Sequence, residues 1–286
     1  MKKIGITWGD QAGIGPEVIK KALATNKWEQ QAELITIGQL VDATPGQPTL
    51  QTAQASKDAL LEAAAMLRDN VIDGLVTAPV SKEWLHKVGF DYPGQTEFFA
   101  HQLNCNNFAM CLTGQHLTVA LVTIHVAIDT VPSLLKQEEI TRIGLLLEKF
   151  CRKRRSRVPK IAVCGLNPHA GESGAFGKED LQIITPAIEQ LNKHFEQEVI
   201  FSGPHPPDTI FRPAADGLYD AVLCMYHDQG LIPLKLLDFQ SGVNTTLGLP
   251  YPRTSPDHGT AFGIAGKNIA DPTSMIHAID LAVALS

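Results

Sequence analysis

The stretch that decides the fold reads Asp257-His258-Gly259-Thr260-Ala261-Phe262-Gly263-Ile264-Ala265-Gly266-Lys267 and continues to Ala270-Asp271-Pro272-Thr273. It places a His-Gly turn, a run of small residues and a proline at a helix start in close succession. Such a loop can bring backbone N–H groups and an imidazole against the phosphates of a nucleotide. An ordinary glycine-containing loop before a C-terminal helix is the alternative interpretation of the same residues.

The same stretch resembles the loop His-Gly-Ser/Thr-Ala…Ile-Ala-Gly-Lys…Ala-Asn-Pro-Thr of the β-decarboxylating dehydrogenases related to isopropylmalate and isocitrate dehydrogenase. Those enzymes bind NAD(P) on this loop and not on a Rossmann glycine-rich turn. Gly263 falls where the isopropylmalate enzymes carry a ribose-binding Asp, and Asp271 replaces their Asn. The resemblance implies NAD as the cofactor, with NADP as the alternative. The cofactor contacts that it implies are made by His258, Gly259, Thr260, Ala261 and Asp271.

The bulk properties of the chain fit a globular enzyme. Its 286 residues are enough for one large or two modest domains with a buried core. The 44% hydrophobic and 19% charged residues are unlike a disordered chain, and the net charge of −6 argues against a general nucleic-acid binder. No apolar span approaches membrane thickness, and the N-terminal apolar run is too short for a signal peptide. We therefore expect neither a nucleic-acid partner nor a membrane partner.

The cysteines indicate a reducing compartment. They are Cys105, Cys111, Cys151, Cys164 and Cys224. They are odd in number and form no Cys-x-x-Cys pair, which is typical of an intracellular protein without disulfides. We expect a cytoplasmic protein.

Short apolar runs typical of buried strands alternate with stretches that carry apolar residues at helical spacing. The predicted strands are residues 3–8, 34–37, 72–77, 108–112, 118–123, 161–164, 199–201 and 221–225. The predicted helices are residues 16–24, 52–70, 132–153, 178–194 and 273–285. This alternation predicts an α/β fold with a largely parallel sheet.

Three histidines follow predicted strands. They are His125, His169 and His227, and His169 lies in a loop rich in glycine and proline. The carboxyl ends of parallel strands gather ligands and catalytic groups, so three imidazoles there would suit a catalytic divalent metal such as Zn²⁺, Co²⁺ or Mn²⁺. Their spacing matches no local zinc motif, and hydrogen-bonded structural histidines are the alternative.

Residues 9–17 join a predicted strand to a predicted helix through three glycines. Such a junction can hold an anion at the helix N-terminus. It lacks the Lys-Ser/Thr of a P-loop. Its glycines also do not complete the Gly-x-Gly-x-x-Gly pattern of a Rossmann fingerprint, because the third glycine of that pattern is missing. An anion site and a tight structural turn are equally good interpretations.

Taken together, these segments resemble the 4-hydroxythreonine-4-phosphate dehydrogenase family of vitamin B6 biosynthesis, nearly end to end. The resemblance is carried by Ala12-Gly13-Ile14-Gly15-Pro16, Thr96-Glu97-Phe98-Phe99, Cys-Gly-Leu-Asn-Pro-His-Ala-Gly-Glu at 164–172, Met-Tyr-His-Asp-Gln-Gly-Leu at 225–231 and Val-Asn-Thr-Thr-Leu-Gly-Leu-Pro at 243–250. It implies the two-lobed fold of isocitrate and isopropylmalate dehydrogenases, with largely parallel sheets and an interdomain cleft, and not a Rossmann fold. The first lobe would comprise residues 1–98 plus 250–286 with the NAD-binding loop. The second lobe, residues 99–249, would carry the metal ligands and the dimer interface.

The resemblance also implies roles for individual residues. His125, His169 and His227 match the family's metal ligands, which are shared between the subunits of a homodimer. The residues that match the family's substrate-binding positions are Thr96, Lys235, Asn244 and Arg253. Those that match its catalytic positions are Lys235 again and two acidic residues near the reacting centre, Asp208 and Asp228.

Two departures from the family pattern affect these expectations. Gln95 stands where the family usually has a substrate-binding histidine. Glutamine can donate a hydrogen bond to a phosphate but cannot carry a positive charge, so it fits the substrate site and also leaves room for a different substrate. The region of residues 43–54 is much shorter than in typical members, which indicates a shortened surface segment.

The activity implied by the resemblance is NAD- and metal-dependent oxidation of 4-phosphooxy-L-threonine at C3. Loss of CO₂ would then give 3-amino-2-oxopropyl phosphate, a step in pyridoxal phosphate biosynthesis. The metal would be Zn, Mg, Co or Mn. Alternatives are a 4-phosphothreonate or cis-dihydrodiol dehydrogenase on the same scaffold and, outside catalysis, a metabolite-binding protein that has lost turnover.

Overall fold

The computed structural model describes residues 1–195 and 200–286. Within them the chain divides into two compact units. The first unit comprises Met1–Asn107 and Val243–Ser286, and the second is the continuous segment Phe108–Gly242. The domain boundaries expected from the sequence fall after residue 98 and before residue 250. The boundaries between the two observed units fall after residue 107 and before residue 243. The functions assigned to the two lobes stay predictions.

Strands and helices alternate along the described chain. The strands are β1 (Lys2–Thr7), β2 (Ala32–Ile37), β3 (Gly74–Thr77), β4 (Ala109–Thr113), β5 (Thr118–Leu121), β6 (Ile161–Cys164), β7 (Phe201–His205), β8 (Ala221–Cys224), β9 (Val243–Leu247) and β10 (Arg253–Pro256). The helices are α1 (Gly15–Leu23), α2 (Leu50–Arg68), α3 (Lys82–Lys87), α4 (Gln95–Gln102), α5 (Val131–Leu134), α6 (Gln137–Arg155), α7 (Thr185–His194), α8 (Phe211–Ala215), α9 (His227–Asp238) and α10 (Thr273–Leu285).

The sheet of the first unit is built from both ends of its sequence. Its strands follow the order β2-β1-β3-β10-β9. Neighbouring strands are parallel except β9, which runs antiparallel to β10. Apolar side chains from α2, β3 and α4, among them Leu60, Leu75 and Phe99, pack into one buried cluster beside this sheet. Burial of each such side chain contributes about 1.5–3 kcal/mol, so the cluster fixes the ends of the strands that carry polar groups.

The sheet of the second unit follows the order β4-β5-β8-β6-β7. β4 and β5 form an antiparallel pair, and β5, β8, β6 and β7 are parallel. Its core contains Leu121, Val222 and Leu234. Parallel pairs predominate in both units, as the alternation of strands and helices predicted.

Local sequence signals set several helix boundaries. α1 has Pro16 in its first turn, where the missing N–H has no cost. α2 begins after a capping box in which Thr49 and Thr52 exchange hydrogen bonds. α10 spans the residues predicted for it.

The structure contains elements that were not predicted, namely the helices α3, α4 and α8 and the strands β9 and β10, and it differs from the predicted elements in three further places. The helix predicted over 132–153 is divided into α5 and α6, because Leu135 takes an extended conformation between them. α9 was not predicted, and it contains Pro233, a residue that normally ends a helix. Val199, part of a predicted strand, lies outside the described residues, and the strand there is β7.

Candidate functional site

Two of the predicted histidines lie at neighbouring strand ends in the second unit. β5 and β8 run side by side in parallel, and the pairing extends beyond them because Thr123 donates from its N–H and its hydroxyl to the Met225 carbonyl. His125 and His227 follow these residues, with ring centroids 5.6 Å apart. The parallel pairing thus brings two imidazoles together at the carboxyl ends of the strands.

An acidic residue orients one of these two rings. Asp228 Oδ1 lies 2.7 Å from His227 Nδ1 at the start of α9. With Nδ1 protonated and donating to this carboxylate, the lone pair of Nε2 is left for another ligand, as in metal-binding histidines. Lys235 lies on an exposed part of the same helix, and Asp208 lies on the exposed turn between β7 and α8.

His169 lies in a separate loop that follows β6. Residues 169–173 all have positive φ, between 42° and 80°, and Gly171 is the one glycine among them. Left-handed backbone costs roughly 1–2 kcal/mol for each residue with a side chain, so surrounding contacts must hold this loop. The His169 ring lies near Phe176, with centroids 6.1 Å apart.

The structure does not bring His169 together with the other two histidines in one chain. Among residues 1–195 and 200–286, no group of three or more His, Cys, Asp or Glu side chains is placed to hold a metal ion. The triad of His125, His169 and His227 therefore stays a prediction, which concerns a site shared between two chains.

Asp180 fixes the beginning of the His169 loop, and sequence reasoning did not single it out. Its side chain accepts hydrogen bonds from the Leu166 N–H (2.8 Å), the Asn167 N–H (3.2 Å) and Asn167 Nδ2 (2.9 Å). The residue is 2% exposed. An acidic residue within a predicted amphipathic helix carries no signal for this role, because such positions are normally solvated.

The first unit contains a buried cation with uncharged partners. Arg253, at the start of β10, is 3% exposed and donates to Thr77 Oγ1 (2.5 Å), Gln95 Oε1 (3.2 Å) and Thr96 Oγ1 (3.4 Å). Its Nε is buried with no hydrogen-bond partner. Burial lowers the pKa of Arg253 to about 10, against the opposing charge of Glu97. A rigid guanidinium with an unused donor and no bonded carboxylate is suited to binding an anion.

Polar groups of neighbouring elements extend this cluster. Thr96 Oγ1 lies 3.5 Å from Thr246 Oγ1, and Asn244 Oδ1, also on β9, is buried without a partner. Thus Gln95, Thr96 and Arg253 are in contact, and Asn244 belongs to the same unit. Thr77 and Thr246 were missed, because a threonine in a buried strand has the same sequence pattern with or without a role at a site.

The predicted cofactor loop, residues 258–271, follows β10. His258 Nδ1 lies 3.1 Å from the Gly259 carbonyl, and its Nε2 is buried without a partner. A side chain added at Gly259 or Gly263 would meet nothing within 4 Å, so there is open space beside the backbone at both positions. An unused imidazole nitrogen beside an open, glycine-lined backbone fits the predicted nucleotide contact.

Asp271 closes the same loop before α10. Its Oδ1 accepts from the Thr273 hydroxyl (2.6 Å) and N–H (2.9 Å). These two hydrogen bonds, the hydroxyl first, lower the pKa of Asp271, which therefore carries a negative charge beside the helix start.

The N-terminal glycine junction is a structural turn. The N–H of Ala12 donates to the Asp10 carboxylate (3.1 Å), and that of Gly13 to the Asp10 carbonyl (2.9 Å). The Ile14 N–H donates to the Thr260 carbonyl (2.9 Å). Because the protein itself uses these donors, the structure favours the tight turn over the anion site at these three residues.

Comparison with solved structures defines the class of fold. The chain is similar to isocitrate dehydrogenase from Methylococcus capsulatus, with a TM-score of 0.59 and 16% identity over 99% of this chain and 85% of that one. At this identity the likeness shows the fold alone. The predicted isocitrate dehydrogenase-like α/β class is confirmed.

The chain belongs to the family described as "Pyridoxal phosphate biosynthetic protein PdxA", whose sequence model matches residues 10–282. A relative from Desulfosudis oleivorans named 4-hydroxythreonine-4-phosphate dehydrogenase is 43% identical to this chain. The alignment covers 98% of this chain and 95% of the relative. The predicted family is confirmed, and the relative's name supports an oxidoreductase of vitamin B6 biosynthesis.

Two further solved structures are similar to this chain. The 4-hydroxythreonine-4-phosphate dehydrogenase of Klebsiella pneumoniae has a TM-score of 0.82 and 34% identity, over 99% of this chain and 100% of that one. A terephthalate 1,2-cis-dihydrodiol dehydrogenase from Burkholderia xenovorans has a TM-score of 0.71 and 25% identity, over 99% of this chain and 98% of that one. Within the described residues, no helix has the length and apolarity needed to span a bilayer.

Proposed function

We propose that this protein is an NAD- and divalent-metal-dependent dehydrogenase that oxidises 4-phosphooxy-L-threonine at C3. Decarboxylation of the resulting β-keto acid would give 3-amino-2-oxopropyl phosphate, a step in pyridoxal phosphate biosynthesis. The observation that carries the proposal is Arg253, a buried guanidinium with uncharged partners and an unused Nε in a member of this family.

Arg253 would bind the phosphate of the substrate. A phosphate provides the negative charge that the buried guanidinium lacks and an acceptor for its Nε. Gln95 and Thr96 already hold two of the Arg253 nitrogens through oxygen acceptors. In this chain, Gln95 would therefore orient the cation instead of adding a second positive charge. Asn244, with an unused side-chain oxygen, would accept a hydrogen bond from the substrate.

His125, His169 and His227 would hold the divalent metal, Zn, Mg, Co or Mn. The donor set fits, because neutral imidazole nitrogens suit several of these ions and Asp228 fixes the His227 ring. His125 and His227 lie together in one chain, so His169 would come from the partner subunit of a homodimer. When bound, the metal would act as a Lewis acid on the oxygen at C3.

The cofactor would bind at His258, Gly259, Thr260, Ala261 and Asp271. His258 would donate or accept through its unused Nε2, and the open space at Gly259 would allow close approach of the nucleotide. The bound NAD would accept the hydride from C3. Asp271 is negatively charged and would repel a 2′-phosphate placed near it, which favours NAD over NADP.

Lys235 would remove the proton of the C3 hydroxyl, with Asp208 or Asp228 as the alternative base. An exposed amine or carboxylate can exchange that proton with solvent. Asp228 already accepts a hydrogen bond from His227, so orientation of that ring is its first role in this scheme.

The homodimer would use the unit that carries His125. β5 is buried within its own unit and is not available as an interface. Exposed apolar side chains lie instead on α9 and at its C-terminal cap: Ile232 and Leu236 on the helix and Phe239 at the cap are 65%, 82% and 74% exposed and follow one another at helical spacing. A second copy would cover this face. All five cysteines carry free thiols, which fits the cytoplasm.

A cis-dihydrodiol dehydrogenase is the second candidate, because one solved relative has that name and because Gln95 is uncharged. A 4-phosphothreonate dehydrogenase would share the phosphate site. The decisive experiment is an assay of NADH formation with each of the three substrates and with Zn²⁺, Mg²⁺, Co²⁺ or Mn²⁺. The proposal requires the highest kcat/KM with 4-phosphooxy-L-threonine. NAD and substrate binding without turnover under any metal would instead indicate a metabolite-binding protein.

A further inference from the structure

We infer that residues 39–49, here named the brace segment, position the proposed cofactor loop and thereby set the affinity for NAD. The inference rests on the proposed function, since it assigns a role to residues beside the loop 258–271. The brace segment overlaps residues 43–54, the region expected from the sequence to be shorter than in typical family members. None of its residues is among the predicted contacts to cofactor, substrate or metal.

The N-terminal turn anchors the brace segment through a buried side chain. Gln11 is 9% exposed. Its Nε2 donates to the Gln39 carbonyl (2.7 Å), and its Oε1 accepts from the Val41 N–H (2.9 Å). Further along, the Gly46 N–H donates to the Ala12 carbonyl (2.7 Å). The brace segment is therefore fixed to the turn at both ends.

The other side of the brace segment contacts the cofactor loop through two glycines. Gly46 has φ +80°, and a Cβ there would lie 3.0 Å from the Phe262 carbonyl oxygen. Gly266 has φ +76°, and a Cβ there would lie 2.6 Å from the Cβ of Pro45. A side chain at Gly266 would therefore force Pro45 or the loop to move, and one at Gly46 would press on the Phe262 carbonyl and require a smaller shift.

The same N-terminal turn also contacts the cofactor loop directly. The Ile14 N–H donates to the Thr260 carbonyl (2.9 Å), and α1 holds the end of the loop through Glu17, which accepts from the Ala270 N–H (2.8 Å). The loop needs such support because Ala261 has a left-handed conformation with φ 43°. A loop held in place before binding loses less conformational entropy when a ligand binds, so the brace should strengthen NAD binding.

The test compares two glycines that have nearly the same backbone conformation. Gly46→Ala should raise the dissociation constant for NAD about tenfold, because the new methyl group displaces the Phe262 carbonyl. Gly217→Ala is the matched control: Gly217 has φ +85°, lies in the other unit and has nothing within 4 Å of the added Cβ. The control has the same left-handed strain but should leave the NAD dissociation constant unchanged.

A second variant reduces the contact without adding bulk. Pro45→Ala keeps Cβ but deletes the ring atoms Cγ and Cδ, of which Cγ lies close to Gly266, and it should raise the NAD dissociation constant about two- to threefold. NAD binding is measured by calorimetry on the unliganded, full-length variants, with thermal unfolding as a check on folding. In turnover assays KM for NAD should rise, while KM for the phosphorylated substrate and kcat at saturating NAD stay unchanged.

The outcomes separate this inference from the proposed function. An unaltered protein that does not bind NAD would overturn both. An unaltered protein that binds NAD, with unchanged affinity in Gly46→Ala and Pro45→Ala, would overturn the role of the brace alone. A loss of affinity in Gly217→Ala as large as in Gly46→Ala would also overturn it, because the effect would then be general destabilisation.

Discussion

The Arg253 cluster and the histidine cluster differ in how much of a site one chain provides. Arg253 has three hydrogen-bonded partners from β3 and α4, all in its own unit. In the other unit, His125 and His227 lie together, while the structure groups no third ligand with them in the described residues. A single chain therefore provides all the residues of the proposed anion pocket but only part of the proposed metal site. Binding of phosphate and binding of metal should respond differently to changes in assembly.

The largest expected effect comes from removal of the histidines. His125→Ala, His169→Ala and His227→Ala should each lose at least about a hundredfold in turnover and in metal content, because each removes a proposed ligand. Affinity for a phosphorylated ligand should change little. Metal analysis and phosphate-ligand titration on the same samples check this. A variant that retains both metal and turnover would show that its histidine is not a ligand.

Mixed dimers sharpen the same prediction. A statistical mixture of His125→Ala and His169→Ala subunits should recover about a quarter of the activity, since half of the dimers would hold one complete site. A mixture of His125→Ala and His227→Ala should recover none, because both proposed ligands come from the same chain. Recovery in the second mixture would contradict the division of ligands proposed here.

The next largest effect concerns the anion pocket. Arg253→Met should lower kcat/KM for the phosphorylated substrate about a hundredfold to a thousandfold, because a buried charge that pairs with the phosphate is lost. The unfolding free energy of the unliganded protein should not fall, since a buried cation without a paired carboxylate is replaced by an apolar chain of similar length. Steady-state kinetics and urea unfolding measure the two quantities.

The control for this variant is Arg212→Met. Arg212 is exposed and pairs with Asp216 at the surface of the second unit, so neither quantity should change. If Arg253→Met destabilises the unliganded protein strongly while kcat/KM is retained, Arg253 is a structural residue and the anion pocket is wrongly assigned.

A smaller effect is expected from Asp228→Asn. The amide cannot hold the His227 ring as strongly as the carboxylate, and metal affinity should fall about ten- to a hundredfold. Excess metal should restore turnover, which a direct catalytic role for Asp228 would not allow. Competition with a metal chelator gives the affinity, and Asp216→Asn, an exposed carboxylate in the same unit, serves as the control.

The smallest expected effect is on stability and its pH dependence. Burial alone would raise the pKa of Asp238, but hydrogen bonds from the His116 side chain and from the N–H groups of Leu117 and His116 outweigh it and lower the pKa. Because the pKa of Asp238 is lower in the folded protein than its ordinary value of 3.8, the ionised carboxylate stabilises the fold at pH values above 3.8. This stabilisation is lost as the pH falls through the lowered pKa. Asp238→Asn should cost about 1–3 kcal/mol at neutral pH.

Asp238→Asn has no carboxylate to protonate at this position, so its unfolding free energy should fall less than that of the unaltered protein as the pH drops below 3.8. Urea unfolding at neutral and acidic pH measures both effects. Phosphate affinity at Arg253 should be unchanged, because Asp238 belongs to the other unit. An unchanged pH dependence in Asp238→Asn would show that another carboxylate is responsible.

The sequence predicted the elements whose signals are local and periodic. α10 and buried strands such as β6 and β8 could be found because apolar spacing identifies them, whereas the polar sequences of β9 and β10 hid those two strands. α9 could not, since Pro233 argues against a helix while packing of its buried face supports one. The split between α5 and α6 depends on the extended conformation of two residues, Leu135 and Lys136, which no apolar periodicity predicts.

The candidate site was predictable to the extent that family motifs mark it. Arg253, its partners Gln95 and Thr96, and the histidines with Asp228 were named, but Thr77 beside Arg253 and Asp180 beneath the His169 loop were not. Thr77 and Asp180 act through contacts with residues distant in sequence or within a loop of unusual backbone. Such contacts follow from tertiary packing, and a single sequence taken without an alignment of its relatives does not reveal them.

The second unit is one continuous segment, whereas the first is made from both ends of the chain. During synthesis, residues 108–242 emerge before the strands β9 and β10 exist, so the second unit can fold while the first still lacks part of its sheet. β10 lies between β3 and β9, and it carries Arg253. The nascent chain should therefore form its pair of histidines before the proposed anion pocket, and a chain stalled on the ribosome after residue 242 would have a folded second unit while the sheet of its first unit still lacked β9 and β10.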